Sequence, residues 1–135
     1  MRDSSRCVSE KRAEKKRVRQ AYKAVRESLL PEDKARFDAC IEEALLDSMS
    51  VRYSGKILAY ASLAGEVETT EFCRKVLACG RELYLPKSYP GGLLRFFAVG
   101  SLEELQKGAF GVLEPEERAE KAYVPSSQKP DLCLV

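Results

Sequence analysis

The hydrophobic positions at the start of the chain recur with helical spacing. Four apolar residues lie at i, i+4, i+7 and i+11: Val18, Tyr22, Val25 and Leu29. This period predicts a helix from about Ser9 to Leu29. Pro31 ends that helix, because proline cannot continue a helix but suits the first position of the next one. The second helix is predicted to run to about Ser48, and two helices joined so tightly should form an antiparallel hairpin.

The pattern changes in the middle of the chain. Residues 56–61 form a short, nearly continuous apolar run, which is typical of a strand buried on both faces. A helix is predicted from Thr69 or Thr70 to Cys79, and residues 82–86 form the next strand. A strand, a helix and a strand in so short a span make a βαβ unit, so the sheet is at least partly parallel.

The C-terminal part adds two more predicted strands. Residues 94–99 read as one, and Ser101 to Glu104 match a capping box for a short helix that ends at Gly108. Residues 131–135 have the pattern of a central, buried parallel strand, and the sequence stops inside it. We therefore expect a single α/β domain over residues 1–135, incomplete at its C-terminus. It would comprise a helical hairpin (1–50) and a mostly parallel sheet with βαβ connections (51–135).

Composition removes several classes of function. The 135 residues include no histidine, which excludes Ser-His-Asp and Cys-His catalytic pairs and every His-ligated metal site. The five cysteines contain no Cys-x-x-Cys spacing and are expected to be reduced and mostly buried thiols. No apolar run is long enough to cross a bilayer, and residues 1–10 hold no signal segment. These features predict a soluble cytoplasmic protein with no membrane partner.

The positive charge is concentrated near the N-terminus. Residues 11–26 hold eight basic side chains and one acidic one, a net charge of +7, whereas the whole chain carries only +2. Lys15, Arg19 and Arg26 share one helix face with Tyr22 between them, so this face could bind phosphates. It could equally be a solvated surface. Nucleic acid is a third option, but no recognition motif is present, and we predict no nucleic-acid partner.

Polar side chains follow the first predicted strand, where ligands bind in open parallel sheets. Gly65 allows a turn in residues 62–68, and the carboxylates of Glu66 and Glu68 come next at alternate positions. They could bind a ligand or be solvated acids of an ordinary loop. Lys87, at the end of the second strand, could face the same crevice or lie on the surface.

Five short motifs in a fixed order resemble those of the 5-formyltetrahydrofolate cyclo-ligase family, also called 5,10-methenyltetrahydrofolate synthetases. Each is weak alone, but their order and separations fit the family over almost the whole chain. They are Lys15-x-x-Val18-Arg19, Ala59-Tyr60 before Gly65-Glu-Val-Glu-Thr69, Leu85-Pro86-Lys87, Gly111-Val-Leu-Glu-Pro115, and Asp131-Leu-Cys-Leu-Val135.

The resemblance implies a three-layer α/β fold of the sugar-phosphate-isomerase and CoA-transferase type. It also implies a ligase of folate one-carbon metabolism. Such a ligase converts 5-formyltetrahydrofolate, possibly polyglutamylated, to 5,10-methenyltetrahydrofolate with ATP and Mg²⁺, releasing ADP and phosphate. By family position, Lys15 and Arg19 would bind the ATP phosphates, whereas Glu66 and Ala61 would bind the folate. The complete protein would be a monomer.

One large departure from the family is expected to matter. Members continue past the last strand into a glycine-rich Tyr-Tyr-Asp-Arg stretch that cradles the phosphates and holds the magnesium, and this sequence lacks it. The resemblance therefore assigns no catalytic residue and no metal ligand within these residues. We expect the 135-residue chain alone to show no turnover. The alternative function is a catalytically inactive paralogue or fragment that acts as a binding module.

Overall fold

The computed structural model describes residues 3–135 and divides into two compact units, with the boundary along the chain inside the second helix. One unit ends at Arg36, and the other runs from Phe37 to Val135. Helix α1 spans Asp3–Glu27 and α2 spans Pro31–Asp47. Both N-terminal helices are therefore confirmed, whereas their antiparallel packing and the boundary at residue 50 stay predictions.

Helix ends follow the local chemistry of the sequence. The short helix α3 spans Met49–Arg52, and the Ser48 hydroxyl caps it by accepting the Val51 N–H at 3.3 Å. Helix α4 spans Thr70–Ala78, with the predicted bounds to within one residue. It stops before Gly80, whose φ of +73° is the left-handed conformation that favours glycine.

A four-stranded, mostly parallel sheet forms the centre of the second unit, in the order β3-β2-β1-β6. β1 pairs in parallel with β2 on one side and with β6 on the other, whereas β2 and β3 form an antiparallel hairpin. The strands are β1 Lys56–Leu58, β2 Glu82–Tyr89, β3 Leu93–Val99 and β6 Leu132–Cys133. The α/β class and the βαβ unit β1–α4–β2 are confirmed.

The core lies between α4 and one face of this sheet. Ile57 of β1 and Leu83 and Leu85 of β2 are at most 1% exposed, and they belong to one cluster with Phe72 and Val76 of α4. Burying a side chain of this size stabilises a fold by roughly 1.5–3 kcal/mol. The apolar residues after Gly55 and the apolar face of α4 therefore contribute to the hydrophobic core that stabilises the second unit.

The last strand differs from its prediction. β6 is parallel, as expected, but it pairs only with β1 and so lies at the edge of the described sheet. Leu132 is half-buried and Cys133 is exposed. An apolar run indicates a strand, but it does not determine whether a second strand covers it.

The expected burial of the cysteines is also wrong for most of them. Cys73 is buried, whereas the other four are exposed: Cys7, Cys40, Cys79 and Cys133. Helical spacing from Phe72 and Val76 predicts Cys79 on the buried stripe of α4. The helix ends at Ala78, so Cys79 no longer follows that spacing.

Ser101 caps a turn, although without the reciprocal bonds of the predicted capping box, and the helix after it is shorter than predicted. Ser101 accepts the Glu103 N–H, and Glu104 accepts the Gly100 N–H at 2.9 Å. The chain makes only a 3₁₀ turn at Leu102–Glu104 before it enters β4. β4 (Gln106–Lys107) pairs antiparallel with β5 (Leu113–Glu114), and this pairing replaces the predicted helix.

Asp131 joins the start of β1 to the loop before β6. Oδ1 accepts the Lys56 N–H at 2.9 Å and the Ser126 hydroxyl at 2.6 Å. Oδ2 accepts the Tyr123 hydroxyl at 2.7 Å and the Ser126 N–H at 2.8 Å. These bonds favour the charged form and hold the pKa of Asp131 well below its usual range, with Ser126 the main cause.

This network predicts a loss of stability in acid. A carboxyl group with a lowered pKa in the folded state stabilises the fold above its unfolded pKa of about 3.9. That contribution disappears as the pH falls through the lower folded-state value. We therefore expect the urea midpoint of unfolding to fall below about pH 4, and to fall less steeply in Asp131→Asn. In the control Asp47→Asn, which removes an exposed ion pair with Arg52, the pH dependence should stay unchanged. Parallel curves for the Asp131 variant and the unaltered chain would contradict the assignment.

None of the helices in the described part of the chain is long and apolar enough to cross a membrane.

Candidate functional site

The loop between β1 and α4 is held in shape by its own side chains. Thr69 is buried and donates its hydroxyl hydrogen bond to the Tyr60 carbonyl oxygen at 2.6 Å. The Thr69 N–H donates to the Ser62 hydroxyl at 3.2 Å. Gly65, with a φ of +88°, supplies the turn in between. The loop is thus tied at both ends, and it displays residues 61–68 beyond the carboxyl end of β1.

The two carboxylates of this loop have different partners. Glu68 Oε1 accepts the Ser62 hydroxyl and the Thr70 N–H, both at 2.8 Å. Glu66 Oε2 accepts the Leu63 N–H at 2.8 Å, and its side chain remains exposed. Both carboxylates are exposed; Glu68 closes the loop against the start of α4, whereas Glu66 bonds within the loop.

A cavity of about 250 Å³ opens beside this loop, on the face of the sheet that α4 covers. The loop, the first turns of α4, β2 and residues 102–113 all contribute to its wall. The lining residues are Ala61, Ser62, Thr69, Thr70, Cys73, Arg74, Leu85, Leu102, Glu103, Leu105 and Leu113. Apolar groups dominate the lining, with a few polar groups at fixed positions, as in many small-molecule sites.

The structure brings two of the predicted folate residues to one loop. Ala61 lines the cavity, and Glu66 follows it across the turn without itself forming part of the lining. Burial, followed by the negative charge of Glu66, raises the pKa of Tyr60, which leads into the same loop. The phenol at Tyr60 therefore remains a neutral hydrogen-bond donor at physiological pH, and it donates to the Val67 carbonyl at 3.3 Å.

Cys73 forms part of the cavity wall but has no nucleophilic character. It is 2% exposed, and burial, aided by the charge of Glu68, raises the pKa of its thiol to about 12. Only the thiolate is an effective nucleophile, so Cys73 contributes packing rather than chemistry.

We predict that Cys73 resists alkylation while the exposed cysteines react. After treatment of the folded chain with iodoacetamide at about pH 8, peptide mass spectrometry should find Cys79 and Cys133 modified and Cys73 largely unmodified. Treatment in urea should modify all of them, which is the internal control. Equal rates at Cys73 and Cys79 in the folded chain would show that the thiol is accessible or ionised.

A further carboxylate, which sequence analysis missed, lies beside the end of β2. Glu114 is 4% exposed, and its Oε2 lies 3.4 Å from Lys87 Nζ. From its pattern alone, Leu113-Glu-Pro115 indicates the entry to a loop. Nothing in a single sequence marks this glutamate as buried, because its partner Lys87 lies 27 residues away.

The predicted phosphate-binding residues lie in the first unit. Lys15 and Arg19 are four residues apart on α1, so they share one face of a continuous helix. Arg17 lies between them in sequence and pairs with Glu14 at 2.6 Å.

No group of three or more acidic or cysteine side chains in the described residues could hold a metal ion. The described residues therefore offer no such cluster for the Mg²⁺ that the resemblance implies.

Comparisons with known proteins identify the family of this chain. The family model for 5-formyltetrahydrofolate cyclo-ligases matches residues 11–135. A Caenorhabditis elegans protein named "Probable 5-formyltetrahydrofolate cyclo-ligase" is 23% identical over 108 residues, which is 77% of this chain and 52% of the relative. The NMR structure of Aquifex aeolicus 5,10-methenyltetrahydrofolate synthetase superposes with a TM-score of 0.66 at 30% identity. That match covers 76% of this chain and 52% of the Aquifex protein. The chain thus spans about half the length of these two relatives, and it belongs to the 5-formyltetrahydrofolate cyclo-ligase family.

Proposed function

We propose that this chain serves the ATP-dependent conversion of 5-formyltetrahydrofolate to 5,10-methenyltetrahydrofolate. The observation that carries the proposal is the cavity beyond the carboxyl end of β1 and beside β2. Ala61 lines it, and the exposed Glu66 carboxylate lies on the same loop. This is the edge of an open parallel sheet where ligands bind, and the family motif that carries Glu66 lies there.

Each proposed residue has a chemical role. A pterin presents adjacent N–H donors, and the Glu66 carboxylate can accept two of them with fixed geometry. Ala61, at the wall, leaves room for the ring system. Lys15 and Arg19 would neutralise the phosphates of ATP, as cations on a rigid helix do with little reordering.

The reaction needs charge neutralisation and positioning more than acid–base groups. The formyl oxygen attacks the terminal phosphorus of ATP, and the bond to ADP breaks. The second folate nitrogen then attacks the formyl carbon and loses its proton to water. The bond between that carbon and the phosphorylated oxygen breaks, and phosphate leaves. Holding the reactants in position and neutralising the phosphate charge can catalyse such a reaction, so it does not require a histidine.

The proposal extends to folate polyglutamates as substrates, a cytoplasmic location and a monomeric protein. Magnesium would accompany ATP, but no step above depends on a metal held by this chain.

Titration calorimetry tests the proposal directly. The purified 135-residue chain should bind 5-formyltetrahydrofolate, and it should bind ATP in a separate titration. With both present, formation of the methenyl product is followed by its absorbance. Binding of neither ligand would overturn the proposal. Binding of both without product would agree with the absence of turnover that is expected of these 135 residues alone, whereas clear product formation would overturn that expectation.

A further inference from the structure

Glu114 is a buried carboxylate with two partners on β2. Oε1 accepts the Ser88 N–H at 3.1 Å, and Oε2 lies 3.4 Å from Lys87 Nζ. The side chain of Glu114 is 5% exposed and that of Lys87 is 30% exposed. A carboxylate so thoroughly removed from water needs such partners, because an unpaired buried charge is costly.

The position of Glu114 follows from the way β1 leaves the sheet. The Ala59 N–H donates to the Tyr84 carbonyl at 3.0 Å, after which the chain turns into the loop while β2 continues to Tyr89. Backbone groups alternate along a strand, so those of Pro86 and Ser88 point to this same uncovered edge. Pro86 has no N–H to satisfy, and Glu114 accepts the one at Ser88. The carboxylate thus takes the place of a missing strand.

Gly108 shows how closely the β4–β5 hairpin is fitted around this group. A methyl group on Gly108 would lie 2.1 Å from Glu114 Oε2 and 2.2 Å from its carboxyl carbon. The φ of Gly108 is −102°, so this position requires glycine for space rather than for backbone conformation. The Gly108 N–H also closes the hairpin by donating to the Val112 carbonyl at 2.8 Å.

The same hairpin contributes one residue to the wall of the cavity. Leu113 precedes Glu114 and lines the cavity, as does Leu85, which lies two residues before Lys87 on the same face of β2. The distance between these two walls is set where Glu114 joins the hairpin to β2. We propose that Glu114 is a positioning residue for the folate site: it holds the β4–β5 hairpin and Lys87 against β2, so that the cavity is formed before ligand binds. This inference rests on the proposed function.

Glu117 provides a matched control for the test. It pairs with Arg95 at 3.3 Å, and Arg95 is the partner of Lys87 across the β2–β3 ladder. Glu114 and Glu117 therefore join the segment 114–117 to β2 and to β3, respectively. The side chain of Glu117, however, is 50% exposed. A pair so exposed contributes little.

The experiment compares Glu114→Gln and Glu117→Gln by calorimetric titration with 5-formyltetrahydrofolate. The temperature is chosen so that circular dichroism shows every variant fully folded, because a general loss of stability would then leave the affinity unchanged. We expect Glu114→Gln to weaken binding by about tenfold and Glu117→Gln by less than about twofold. Unchanged affinity in Glu114→Gln, or equal losses in both variants, would overturn the positioning role.

Gly108→Ala provides a second, independent variant. Its methyl group occupies the space of the Glu114 carboxylate, so it should weaken folate binding to a similar extent. In a Glu114→Ala background the same substitution should cause little further loss of folate affinity, whereas additive losses would contradict the inference.

Failure of the unaltered chain to bind 5-formyltetrahydrofolate would overturn the proposed function itself. Normal binding by Glu114→Gln and Gly108→Ala would overturn only the positioning role.

Discussion

Replacing Glu66 by glutamine should lower the affinity of the chain for 5-formyltetrahydrofolate by roughly one to two orders of magnitude, the usual result of losing a charged hydrogen bond. The substitution keeps the size of the side chain but turns one acceptor oxygen into a donor, which would face the pterin N–H groups. The remaining oxygen can still accept the Leu63 N–H, which Glu66 accepts at 2.8 Å, so the loop should keep its shape. Calorimetric titration measures the loss.

Glu68→Gln is the control, because it lies on the same loop with a different set of partners. Glu68 Oε1 accepts the Ser62 hydroxyl and the Thr70 N–H. We expect this variant to lower the thermal stability of the chain more than Glu66→Gln does, and its folate affinity less. The reverse pattern of affinities, with Glu68 as the critical residue, would show that the family motif is misplaced on this loop by two positions.

Features that depend on neighbouring residues could be predicted from the sequence. The helical periods of α1 and α2, the stop at Pro31 and the turn at Gly80 are local, so the corresponding elements appear. Their bounds lie within two residues of the predicted ones, except that α1 begins six residues earlier than predicted, at Asp3. Predicting the βαβ unit required one further inference about topology. Two buried apolar runs joined by a short helix can be connected in few other ways.

Features that depend on distant contacts could not be predicted. The burial of Glu114 requires both Lys87 and the space left by Gly108, and a sequence shows none of these as neighbours. The position of β6 at the edge of the described sheet depends on which strands pair, not on its own apolar pattern. The same limit applies to the loop at the candidate site. Spacing identified Glu66 and Glu68 together, but only their hydrogen bonds show that Glu68 joins the loop to α4 while Glu66 bonds within the loop.

Lys15→Ala and Arg19→Ala should each weaken ATP binding by about 1.5–3 kcal/mol, the usual contribution of a hydrogen bond between charged groups. Both residues lie on one face of α1, so a single phosphate chain can contact them together. Folate affinity should change little in either variant, since these residues are assigned to the phosphates alone. Separate calorimetric titrations with ATP and with 5-formyltetrahydrofolate measure the two effects.

Lys16→Ala decides between specific contacts and a diffuse positive surface. Lys16 has the same charge as Lys15 and is its neighbour in sequence, but it lies about 100° around the helix and so points away from the proposed face. A specific site predicts that Lys16→Ala binds ATP almost as well as the unaltered chain. A diffuse field predicts equal losses for Lys15, Lys16 and Arg19, all of which would decrease together as salt screens the surface charges. Equal losses would remove the phosphate-binding assignment of Lys15 and Arg19 while leaving the folate assignment of Glu66 to its own test.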